Sequence, residues 1–204
     1  MEAVKTLNNF INDLDSNIYK EYIDKYKDTD SFRKNVSRLT GLGTAYRAIF
    51  PEEKSVSQHQ EILSITKKYG DLFIAECKKA FKDDRELYFY GTSITRLSQE
   101  IQLRIHQDIH PIGDHISYSG VMYLNRDYVG GDILFFDNFP EQSEDDFAVY
   151  SEDMKDAFIY NQQAGDLVMF HPHVWHGSTK VESGWRDAVV LWCTSDKDYE
   201  CKLD

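Results

Sequence analysis

The chain has 204 residues, 41% hydrophobic and 14% aromatic, enough for one domain with a substantial core. Its formal charge of −12 argues against a general binder of nucleic acid or anionic membrane, because phosphate recognition needs clustered Lys and Arg. The same charge still allows a small acid to be held by one buried arginine.

The N-terminus, MEAVKTLNNFINDLDSN, lacks a basic stretch followed by an apolar one, so no signal peptide is expected. No run approaches the roughly 20 apolar residues of a membrane span. Residues 1–85 read mainly as helical support. Phe10, Ile11, Leu14, Ile18, Tyr19 and Tyr22 recur at helical spacing and predict one or two amphipathic helices, with a break from Asp28 to Ser31. Gly41-Leu42-Gly43 reads as a turn, followed by a short apolar run from Tyr46 to Phe50 that Pro51 stops. Ser57 with Gln60 or Glu61 can cap a further helix. That helix carries Ile62, Ile65, Tyr69, Leu72, Phe73 and Ala80, with Lys67, Lys68, Lys78 and Lys79 on a solvated face.

From residue 86 the texture becomes strand-like. LYFY at 87–90, IQLRI at 101–105, ISYSGVMYL at 116–124, DILFF at 132–136, DLVMF at 166–170 and AVVLW at 188–192 are separated by turn signals, among them Gly130-Gly131. Short strands after a helical segment predict an α+β fold, an antiparallel sandwich or open barrel backed by helices. Residues 137–163 are acidic and irregular, and read as a lid or a surface insertion. The three cysteines, Cys77, Cys193 and Cys201, are sparse and widely spaced; they are expected as reduced thiols in a cytoplasmic protein.

Six of the seven histidines lie between residues 106 and 176. If 101–108 is extended, His106 and Asp108 project from one face, because side chains alternate with period two. A second imidazole from a distant strand would complete two histidines and a carboxylate, the facial set of non-haem iron with positions left open. His176 is the favoured third member because Arg186 follows it at ten residues; His110, His115, His171 and His173 are alternatives. A lone His-x-Asp is weak on its own, and the frame downstream is what strengthens it.

The stretches HQD at 106–108, YSGVMYLNRDYVGGDILFF at 118–136, AGDLVMF at 164–170 and HGSTKVESGWRDAVVLW at 176–192 resemble the Fe(II)/2-oxoglutarate dioxygenases of the prolyl hydroxylase type. The resemblance covers about residues 87–196, and the nearest pattern is that of prolyl 3- and 4-hydroxylase-type catalytic domains. It implies a single domain, 1–204, with a double-stranded β-helix (jelly-roll, cupin-like) core over 86–196. It implies that His106, Asp108 and His176 bind Fe(II), and that Arg186 pairs with the distal carboxylate of 2-oxoglutarate. Tyr123 would hydrogen-bond that co-substrate and Trp192 would line the site near the metal; simple core packing is the competing reading for Trp192. Dioxygen is the second co-substrate, with ascorbate a possible reductant. The reaction implied is hydroxylation of an unactivated C–H bond, of a proline-like residue, amino acid or other small molecule, with release of succinate and CO2. The partner is then a small-molecule or peptidyl substrate, not nucleic acid or membrane. Many relatives carry a hydroxyl residue two or four positions after the arginine; here those positions are Ala188 and Val190, so a second hydrogen bond has to come from elsewhere, with Tyr123 as the candidate. Arg96, Arg104, Tyr88, Trp175 and the 137–163 loop are candidates for the entrance. A non-catalytic cupin-like module that binds metal and 2-oxoglutarate, and a metal-dependent hydrolase or isomerase on the same barrel, are the competing readings.

Overall fold

The computed structural model describes residues 1–30, 32–34, 39–50, 60–109, 115–139, 149–152 and 154–201. In chain order the elements are β1 (Val4–Leu7), α1 (Asp13–Tyr26), β2 (Arg33–Lys34), β3 (Leu39–Thr40), β4 (Ala45–Phe50), α2 (Gln60–Phe81), β5 (Tyr88–Ser98), β6 (Gln102–Leu103) and β7 (Tyr118–Tyr123). There follow β8 (Val129–Gly130), β9 (Ile133–Phe136), β10 (Phe158–Tyr160), β11 (Leu167–Phe170), β12 (Trp175–Ser178), β13 (Val181–Ser183) and β14 (Trp185–Thr194).

Helix α1 starts where the Asn12 side chain accepts a bond from the Asp15 amide at 2.9 Å, with Asp13 and Asp15 on the positive end of the helix dipole. Its buried face is Ser16, Tyr19, Tyr22 and Ile23. Of the expected stripe, Ile11, Tyr19 and Tyr22 are buried, but Leu14 is 74% exposed and Ile18 37%. The physical reason is Ser16, whose hydroxyl is buried and donates to the Leu124 carbonyl at 2.7 Å, so a polar residue occupies the core side and disguises the stripe. Helix α2 buries Ile62, Ile65, Tyr69, Phe73 and Cys77 and leaves Leu72 exposed. The helices are joined where Asp15 accepts from Lys68 (2.6 Å) and Tyr69 (2.7 Å). The expected Ser57 cap lies outside the described residues.

The major sheet has the order β1-β11-β7-β14-β5-β4-β2, and a smaller sheet runs β10-β9-β12. All the pairings are antiparallel. Period two divides each central strand of the major sheet between two cores. Met122 of β7, Leu167 and Met169 of β11, and Val189, Leu191 and Cys193 of β14 pack under the helices with Tyr19, Ile62 and Phe73. Val121 and Tyr123, Val168 and Phe170, and Ala188 face the smaller sheet, where Ile133 and Phe135 meet them. The site lies in this second, inter-sheet layer. The jelly-roll core backed by helices, expected for an α+β chain, is the architecture found.

The N-terminal segment departs from its helical reading in part. It also supplies β1, which closes one side of the major sheet against β11, and β4, which pairs with β5 from Ala45↔Leu97 to Phe50↔Thr92. A four-residue edge strand is too short to show a period, and β4 reads in sequence only as an apolar run. The strand expected at 101–105 shrinks to Gln102–Leu103, but the chain stays extended beyond it through a bridge between His106 and His176. Among the described residues no helix is long and apolar enough to cross a membrane.

Candidate metal centre

Residues 106–108 run antiparallel to 172–176. The His106 amide donates to the His176 carbonyl at 2.8 Å and the His176 amide donates to the His106 carbonyl at 2.9 Å, while the Asp108 amide donates to the Pro172 carbonyl at 2.9 Å. Two residues that exchange both backbone bonds stand directly opposite on the ladder, and their side chains leave the same face. The two imidazoles therefore sit 4.3 Å apart, centroid to centroid, and Asp108, two residues on, joins them. Asp108 Oδ1 lies 3.4 Å from His106 Nε2 and 3.8 Å from His176 Nε2. All three side chains are buried, with ligand atoms within 4.8 Å of one another, close enough to hold one ion.

The remaining atoms of this trio are already bonded. His106 Nδ1 lies 2.7 Å from the Arg104 carbonyl and His176 Nδ1 2.9 Å from that of Val174, which places the proton on Nδ1 and turns each Nε2 lone pair inward. Asp108 Oδ2 accepts from the Ser119 hydroxyl at 2.8 Å and the Trp192 indole at 3.1 Å. Burial works to raise the Asp108 pKa, but the His176 and His106 imidazoles and the Ser119 hydroxyl outweigh it and hold the group well below the ordinary carboxylate range. A metal ligand at this position has to be ionised, which is the direction of that shift.

Arg186, 4% exposed, lines the same cavity as His106, Asp108 and His176, together with Val121, Ile133 and Phe170. Its Nη2 donates to the Tyr123 hydroxyl at 3.3 Å and its guanidinium carbon lies 5.2 Å from the centre of that ring. Its Nε is buried with no hydrogen-bond partner among the described residues. Burial works against its charge, and the hydroxyls of Tyr123 and Tyr128 offset this, leaving its pKa above the ordinary value. A buried cation with an unmet donor is costly on its own and suits an anionic guest. Gly131 gives it room: at φ +65° this glycine adopts a conformation side chains avoid, and a Cβ there would come within 3.0 Å of Arg186 Cδ.

Ala188, Val190 and Trp192 line the cavity beside Arg186, the shared strand face expected from the sequence. Tyr123 stands opposite Ala188 in the β7–β14 register, so its hydroxyl occupies the neighbourhood where relatives are expected to carry their own. The competing histidines go elsewhere. His171 sits between the rings of Phe81 (4.8 Å) and Tyr118 (4.9 Å), and His115 stacks on Tyr199 at 3.6 Å. His173 is exposed, and His110 lies outside the described residues. Arg96 does not line the entrance; it bonds Asp187 at 2.7 and 2.6 Å and pairs with Asp24 of α1 on the opposite face of the sheet. The cavity wall on that side is instead Arg47, Thr95, Leu97 and Leu103, none of which the sequence singles out. Part of the acidic loop, residues 140–148 and 153, lies outside the described residues.

No family model and no curated protein matches the chain. Solved structures do. A prolyl hydroxylase from Trichoplax adhaerens, in complex with a hypoxia inducible factor oxygen degradation domain peptide fragment, superposes with a TM-score of 0.69 at 14% identity, covering 98% of this chain and 86% of that one. A prolyl-4-hydroxylase from Pseudomonas putida gives 0.62 at 13%, covering 94% and 92%. HygX from Streptomyces hygroscopicus, with nickel and 2-oxoglutarate bound, gives 0.63 at 10%, covering 94% and 82%. At such identities the likeness establishes the fold.

Proposed function

We propose that the protein is an Fe(II)- and 2-oxoglutarate-dependent dioxygenase that hydroxylates an unactivated C–H bond. One observation carries the reading: two imidazoles and one carboxylate turn their ligand atoms to a common point in a cavity that also exposes a buried, incompletely bonded guanidinium. The solved structures of the same fold, two of them prolyl hydroxylases and one with nickel and 2-oxoglutarate bound, support it.

His106 Nε2, His176 Nε2 and Asp108 Oδ1 would hold the metal, and their donor set of two neutral imidazoles and one carboxylate suits ferrous iron. The Arg186 fork and the Tyr123 hydroxyl would receive the far carboxylate of 2-oxoglutarate, giving Nε its missing acceptor. When bound, iron, 2-oxoglutarate and dioxygen together supply the oxidising chemistry that converts C–H to C–OH with release of succinate and CO2. The protein's part is to hold the three ligands in fixed tautomer and charge, to anchor the acid away from the metal, and to exclude water with Val121, Ile133, Phe170 and Val190. A peptidyl or free proline-like substrate is proposed from the company this fold keeps; Arg47 and Thr95, paired across β4 and β5 on the cavity wall, offer it a cation and a hydroxyl.

The test is oxygen- and Fe(II)-dependent succinate release from 2-oxoglutarate, screened against free amino acids, proline-containing peptides and cell extract. Turnover is expected with iron and its loss in His176→Ala. Metal and 2-oxoglutarate binding without succinate from any pool would instead support a non-catalytic module, and activity with zinc and no oxygen would support a hydrolase or isomerase.

A further inference from the structure

We propose that Ser119 and Trp192 are positioning residues that confine Asp108 to a single bond with the metal and so keep the adjacent coordination position open for the co-substrate. The inference rests on the metal-site reading above. Ser119 and Trp192 are directly paired across β7 and β14, and both donate to the same oxygen, Asp108 Oδ2, at 2.8 and 3.1 Å. The other oxygen, Oδ1, is the one that faces the two imidazoles, at 3.4 and 3.8 Å. The carboxylate is therefore divided: one oxygen toward the metal site, one held back by two donors carried on a rigid strand pair.

That division matters because a carboxylate can bind a cation through one oxygen or both. Three protein atoms leave three positions of an octahedron, which the reading assigns to a chelating 2-oxo acid and dioxygen. A fourth protein atom would take one of them. Ser119 is fully buried and is not part of the cavity wall, and its hydroxyl reaches the site through Asp108. Without the Ser119 hydroxyl, Oδ2 loses its nearer donor and is freer to turn toward the metal.

The experiment uses the full chain loaded with Mn(II), which is silent to oxygen chemistry, and reads three quantities: Mn(II) affinity, water-proton relaxation by the bound ion, and 2-oxoglutarate affinity of the Mn(II) form. Ser119→Ala is expected to leave Mn(II) affinity near wild type, to lower the relaxation as one exchangeable water is lost, and to weaken 2-oxoglutarate about tenfold, the scale of one hydrogen bond to a charged group. Ser119→Thr, which keeps the hydroxyl, should restore all three. Trp192→Phe should act in the same direction on relaxation. Parallel loss of Mn(II) and 2-oxoglutarate affinity, or unchanged relaxation in Ser119→Ala, overturns the proposal. Failure of the wild type to bind Mn(II) at all would instead remove the metal site itself.

Discussion

Arg186 and Tyr123 form the residue-scale centre of the account, because neither makes sense as packing alone. A guanidinium buried between two tyrosine hydroxyls, with Nε unmatched, is poorly satisfied until an acid arrives. Arg186→Lys keeps the charge but replaces the planar fork by a point donor. We expect it to weaken 2-oxoglutarate by about 10- to 100-fold, the range of a lost hydrogen bond to a charged group, while Mn(II) affinity stays unchanged. Titration calorimetry with each ligand separates the two; equal losses would mean that Arg186 supports the fold and not the acid. The arginine and the metal trio were legible in the sequence because their spacing within short segments carries the signal. Ser119 was not, because its role exists only once β7 and β14 pair and bring Trp192 opposite it. Arg47 and Thr95 were equally hidden, since β4 reads in sequence as a short apolar run with no visible partner and Thr95 lies in the part of β5 beyond the LYFY signal.

At the scale of elements, the fold depends on helix α2 pressing on the outer face of the major sheet. Gly120 of β7 makes this close approach possible: a Cβ there would meet Phe73 Cε2 at 2.5 Å. Gly120→Ala should therefore cost about 1–3 kcal/mol of stability, the usual penalty for overfilling a packed core, and urea unfolding would measure it. Pairing it with Phe73→Leu should recover part of the loss; additive losses would show that the two positions do not meet. The central strands β7, β9, β11 and β14 were recognisable because each is apolar and bounded by turn residues. The short strands β3, β8 and β13 and the edge strands β1 and β10 were not, since two to four residues cannot display a period. Helix α1 was found with Tyr19 and Tyr22 rightly on its buried face and Leu14 and Ile18 wrongly so, because Ser16 and not Leu14 points inward.

Over the whole molecule, acid stability adds a check that is independent of the metal. His171 is half-buried among Phe81 and Tyr118; burial, with smaller contributions from His173 and Arg85 against the opposing Asp83, lowers its pKa below the ordinary 6.5. The unfolded chain then takes up a proton at higher pH than the folded one. The stability His171 provides is complete above about pH 6.5 and declines as pH falls through its folded pKa. Metal-free wild type should lose stability on acidification from pH 7.5 toward 5.5 more steeply than His171→Phe, and parallel slopes in the two proteins would contradict this. The account as a whole stands on the convergence of His106, Asp108 and His176 on one ion with Arg186 across the cavity from it. Anomalous diffraction from crystals of the protein with Mn(II) and 2-oxoglutarate tests that convergence most directly. A manganese peak bonded to His106 Nε2, His176 Nε2 and Asp108 Oδ1, with the distal carboxylate of the acid against Arg186, is the result expected. Manganese at any other set of side chains, or the acid bound away from Arg186, would contradict it.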